Sequence, residues 1–94
     1  MILMGVEIEM KLWDNQSLKV KRKVIKSMID KIHHQYKISA AEVGRNDSLD
    51  YAHIGLGVVR NQKKEAEKVL NRVIRMIEEK YPVEILSISF LEGY

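Results

Sequence analysis

The spacing of apolar residues changes repeatedly along this chain, and the order of the changes leaves few folds open. From Ile2 to Leu12 the pattern has period two. Ile2, Met4, Val6, Ile8, Met10 and Leu12 fall on one side, and Leu3, Gly5, Glu7, Glu9 and Lys11 on the other, as in a strand with one face buried. Trp13 to Gln16 break the pattern as a loop. From Ser17 to Lys37 the period becomes helical. Val24, Ile25, Met28, Ile29, Ile32 and Tyr36 cluster on one face at 100° per residue, and Ser17 stands where an N-cap belongs. Ile38 to Gly44 reads as a short second strand, followed by the turn residues Gly44-Arg45-Asn46-Asp47-Ser48. Leu49 to Arg60 returns to period two, with Ala52, Ile54, Leu56 and Val58 on one side and His53, Gly55, Gly57 and Val59 on the other. Asn61 is placed to cap a second helix whose stripe is Ala66, Val69, Leu70, Val73, Ile74 and Ile77. Pro82 ends that helix, and Val83 to Leu91 forms the fourth strand.

The resulting order, β-α-β-β-α-β, predicts an α+β sandwich of the ferredoxin-like kind. Both helices cover one face of a four-stranded antiparallel sheet, with expected strand order 4-1-3-2. At 94 residues, 1–94 forms a single domain. A domain of this size has a small core and gains from self-association.

The two helices differ in charge. The outer face of the second mixes signs at i,i+3 and i,i+4 spacing, such as Lys64 with Glu67 and Arg75 with Glu79. The first carries seven Lys and Arg against a single acid, Asp30, while the whole chain has a net charge of +3. Lysines crowd its opening turn, where the helix dipole favours acids. An external polyanion would account for that arrangement. Lys19, Lys21, Arg22, Lys23 and Lys26, with Lys31 and Lys37 further on, are the candidate phosphate contacts to RNA.

Composition removes several chemistries. There is no cysteine, which excludes disulfides, thiolate nucleophiles and Cys-based zinc sites. The apolar run at the N-terminus is broken by Glu7, too early for a signal core or a membrane span. A cytoplasmic location, with no membrane partner, is the expectation.

The segments Ser17–Ile32 (SLKVKRKVIKSMIDKI) and Ala41–Val59 (AEVGRNDSLDYAHIGLGVV) resemble two motifs of the YlxP-like bacterial family, a domain of unknown function. The opening strand MGVEIEMKL and the helix segment VLNRVIRMIEE fit the same pattern, so the resemblance spans essentially the whole chain. One departure is visible: the family's loop often carries a Trp and an Arg after its Asp, where this chain has Ser48-Leu49-Asp50-Tyr51. The resemblance implies a ferredoxin-like fold and no established activity. Genes of the family often neighbour those of translation and ribosome-maturation factors, in line with an RNA or ribosome partner.

Other surfaces carry weaker signals. The uncovered sheet face lacks stacking aromatics on its first and third strands and presents Glu7 and Glu9, so it does not match an RNA-recognition motif. Glu7, Glu9, Glu42 and His53 are candidates to converge there as an acid–base or metal cluster, but their spacing follows no metal motif. No catalytic residue, metal or cofactor is expected, nor an enzyme. Gly55 and Gly57 leave the face bare, permitting close approach by another chain. The fourth strand is apolar on both sides, Ile85 and Leu91 on one and Leu86, Ile88 and Phe90 on the other. Gly55, Gly57, Ile85 and Leu91 are therefore candidate interface residues of a homodimer, an alternative in which the open face acts as a protein-interaction or small-ligand module.

Overall fold

The computed structural model describes residues 1–13 and 17–93; the expected loop at Asp14–Gln16 lies outside the described residues. The elements follow the predicted order: β1 (Ile2–Leu12), α1 (Leu18–Lys31), a π-helical turn (Ile32–Tyr36), β2 (Ser39–Gly44), β3 (Tyr51–Arg60), α2 (Lys63–Lys80) and β4 (Val83–Gly93). The four strands form one sheet, in the order β2-β3-β1-β4, and every pairing is antiparallel. This is the ferredoxin-like arrangement read from the sequence.

The core lies between sheet and helices. Met4, Val6, Ile8, Met10 and Leu12 of β1 and Ala52, Ile54, Leu56 and Val58 of β3 point into it. Across the layer they meet Ile25, Met28 and Ile32 from the first helical segment and Ala66, Leu70, Val73, Ile74 and Ile77 from α2. Each fully buried aliphatic side chain contributes roughly 1.5–3 kcal/mol. A one-residue slip of β1 against β3 would turn the entire apolar row to solvent, and the register Ile8 to Ile54 fixes it.

Ser17 caps α1, its Oγ accepting from the Val20 amide at 3.1 Å. α2 begins after Gln62 rather than Asn61, without a side-chain cap. The π-helical turn is unannounced in the sequence. It brings His33 against β2, where Nε2 lies 3.2 Å from the Ala40 amide nitrogen and 3.1 Å from its carbonyl oxygen. Either tautomer of the ring thus finds a partner on that edge strand. Lys37 closes the turn in a left-handed conformation, φ 58°.

Two irregularities adjust the strands. Between Glu42 and Gly44 the register against β3 shifts, with Val43 bulged. Between Glu9 and Met10 the register against β4 shifts, so Ser87 and then Ile85 follow each other as partners and Leu86 has no opposite residue. The second bulge corrects the simple alternation expected for β4. Ile85, Ile88 and Phe90 pair with the core-facing Met10, Ile8 and Val6, while Leu91 pairs with Gly5 on the open face. Ile85 and Leu91 therefore lie on opposite sides of the sheet.

Candidate functional site

The N-terminal part of α1 displays Lys19, Arg22, Lys23 and Lys26 on its solvent side, all exposed, and Lys37 is exposed beyond the π-helical turn. Their positions fall within about 100° of arc on the helix, as the 3.6-residue period requires. Among the described residues, none of these five is within 4.0 Å of a carboxylate; the ion pairs formed there involve Lys21, Arg45, His53 and Lys63. A cationic row that no carboxylate of the described residues neutralises can meet several phosphates at once.

Lys21 does not belong to that row. Its side chain is 1% exposed. The amine donates to the carbonyl oxygens of Arg45, at 2.5 Å, and Ser48, at 2.7 Å, and Glu42 Oε2 is 3.8 Å away. Burial pushes the amine below the usual lysine pKa, against the opposing pull of the Glu42 carboxylate. The signal was present in the spacing: Lys21 precedes Ile25, Met28 and Ile32 by four, seven and eleven residues and so shares their stripe. Lys21 fastens the β2–β3 loop to the helix layer and is not available to a phosphate.

That loop owes its shape to Lys21 and Ser48. The Ser48 amide donates to the Arg45 carbonyl at 3.1 Å, and Ser48 Oγ accepts from the Tyr51 amide at 3.1 Å. The Asn46 amide group reaches Glu42 Oε1 at 3.4 Å. Arg45, left-handed at φ 59°, turns its guanidinium over the Tyr51 ring, 5.5 Å from the centroid. It also lies 3.8 Å from Glu9.

On the open sheet face, His53 Nε2 is 3.0 Å from Glu7 Oε1. Glu7 and His53 thus come together, and Glu9 is answered by Arg45. Glu42 does not join them: it pairs with the core-facing Ile54 across β2–β3 and points toward Lys21. Among the described residues, no group of three or more His, Asp or Glu is placed to hold a metal ion. Tyr51 is an aromatic on the third strand, but Arg45 covers its ring.

Gly55 is crowded by Val43, whose Cγ1 would be 3.1 Å from an added Cβ, whereas Gly57 faces open space. Gly5 and Gly57 pair across β1–β3, with Leu3, Val59 and Leu91 exposed around them. Gly5 and Gly57, with Leu3 and Leu91, line a shallow hollow of about 310 Å³. Of the four residues expected at an interface, Gly57 and Leu91 adjoin this hollow. Gly55 lies farther along β3, and Ile85 is partly buried on the helix side.

No helix among the described residues is long and apolar enough to cross a membrane. The family model described as "Protein of unknown function (DUF503)" matches residues 3–90. The chain is also similar to the uncharacterized protein YlxP of Bacillus subtilis (strain 168), with 31% identity over 72 residues, covering 77% of this chain and 78% of the relative. With the matched region running from β1 into β4 and so taking in both helices and the whole β2–β3 loop, this chain belongs to the DUF503, YlxP-like family.

Proposed function

We propose that this protein is a small non-catalytic RNA-binding or ribosome-associated protein whose phosphate contacts come from Lys19, Arg22, Lys23, Lys26 and Lys37. One observation carries the reading: these cations are exposed on one helical segment and, among the described residues, no carboxylate neutralises them. The same molecule bonds Lys21 internally with care, so leaving five neighbours unanswered has a cost that folding does not explain. Binding to structured RNA should weaken with salt. Five phosphate contacts give a slope of log affinity against log salt of roughly −3.5 to −4.5. The double substitution Lys23→Glu/Lys26→Glu should reduce that slope by about 2 and lower affinity across RNA sequences alike. An unchanged affinity and slope would end the proposal.

A second reading, an interaction or small-ligand module on the open face, draws on the hollow at Gly5 and Gly57 and its rim of Leu3 and Leu91. Under that reading Gly57→Lys abolishes partner or ligand binding while the salt-dependent RNA affinity is unaffected.

A further inference from the structure

The two edges of the sheet are treated differently. β2 is six residues long and has Ala40 engaged by His33. These are devices that keep an edge from pairing with another chain. β4, the opposite edge, is eleven residues long. Its central segment Leu86-Ser87-Ile88-Ser89-Phe90 has no charged residue and no proline. Leu86, Ile88, Phe90 and Leu91 are between 39% and 57% exposed. α2 rests on β3, β1 and part of β4 without covering Ile88 and Phe90, although both are on the helix side.

We infer that β4 pairs antiparallel with β4 of a second copy of this chain, about a two-fold axis at Ile88, making one continuous eight-stranded sheet. The segment is self-complementary about that residue. The axis places Ile88 against Ile88, Ser87 against Ser89, and Leu86 against Phe90, so apolar meets apolar and hydroxyl meets hydroxyl. Beside Phe90 lies a groove of about 500 Å³ between α2 and β4, lined by Met4, Asn71 and Leu91 among others, which leaves room for Leu86 of the second copy. Of the charges that flank the segment, Glu92 pairs with Lys63 at 3.0 Å within one chain and does not meet the second copy as a bare charge; Glu84 stands opposite Lys11 across β1–β4. The four exposed apolar side chains present on the order of 400 Å² per copy. With the strand backbone, two copies bury about 1,000 Å², the lower end of what a specific interface requires.

The absence of cysteine from the chain makes the test direct. Directly opposed residues of an antiparallel pair bring their Cα atoms to about 4.5–5.5 Å, within disulfide range. Under mild oxidation Ile88→Cys should therefore give a disulfide-linked dimer in high yield, while Gly57→Cys on the open face and Ala41→Cys on β2 should remain monomeric on denaturing gels. Sedimentation of the unmodified chain should show a concentration-dependent monomer–dimer equilibrium, shifted toward monomer at least tenfold by Phe90→Lys. Circular dichroism of that variant checks that the fold is kept. A wild-type chain that stays monomeric up to millimolar concentration would overturn the proposal. So would crosslinking through Gly57→Cys in preference to Ile88→Cys, which would move the contact to the open face.

Discussion

Lys21 is a cation enclosed by its own chain, and its worth to the fold depends on the groups around it. Replacing it by Met keeps the apolar stem but leaves the Arg45 and Ser48 carbonyls without their donor. Each orphaned carbonyl costs about 1–3 kcal/mol, partly offset because no charge is then held in the interior. Lys21→Met should lower the stability measured by urea unfolding by about 1–3 kcal/mol. Amide exchange should quicken first at Ser48 and Tyr51, whose bonds define the loop. The pH dependence has a definite sign. Because burial lowers the folded-state pKa of Lys21, the unfolded chain holds the proton longer, and stability gains from this group as pH rises from the lowered value toward 10.5. The difference in unfolding free energy between wild type and Lys21→Met should therefore widen over that window. A difference that is flat or narrows there would mean that the amine is not desolvated in the folded protein.

Among the elements, α1 is the one in which stability and the proposed RNA binding favour opposite charges. Its first turn contains no acid, although an anion there would be favoured by the helix dipole. Lys19→Glu should raise thermal stability by about 0.3–1 kcal/mol and weaken RNA binding at the same time; calorimetry and a binding titration on one sample would read both. If stability rises while RNA affinity is unchanged, Lys19 is not a phosphate contact. The strands and helices were legible because each carries its period over many residues: β1 over Ile2–Leu12 and α2 over Lys63–Lys80. The local departures were not. Nothing in Ile32–Tyr36 distinguishes a π-helical turn from one more α-turn. The bulge at Leu86, in a strand apolar on both sides, could not be seen until its register against β1 was known. The candidate site was legible only in part, for a related reason. A list of lysines by composition takes in Lys21, whereas helical phase assigns it to the core stripe with Ile25 and Met28. The cluster expected of Glu7, Glu9, Glu42 and His53 comes together only as the pair of Glu7 with His53, because Arg45 takes Glu9 and Lys21 draws Glu42 to the other side of the sheet.

On the scale of the whole molecule, the charge is layered. Beyond the helices lies the row of Lys19, Arg22, Lys23 and Lys26, while the far side of the sheet presents Glu7 and Glu9, each already engaged by His53 or Arg45. A polyanion approaching from solution would be oriented toward the helical side before contact. α1 is anchored to β2 and its loop through Lys21 and His33, at the opposite end of the sheet from β4. A two-fold axis through Ile88 that keeps the strands antiparallel runs perpendicular to the sheet, so both cationic helices emerge on the same side. At about 4.8 Å per strand they are separated by roughly 30 Å. Such a pair is bivalent. Under the RNA binding and the β4 pairing proposed above, one long RNA would be gripped at two places, and the second grip would form at the high local concentration set by the first. A short hairpin that reaches a single helix would gain nothing from the doubling. The preference for long over short RNA should therefore disappear in Phe90→Lys while the affinity for the short hairpin is retained, and a preference that survived in that variant would mean that avidity does not arise from the β4 edge.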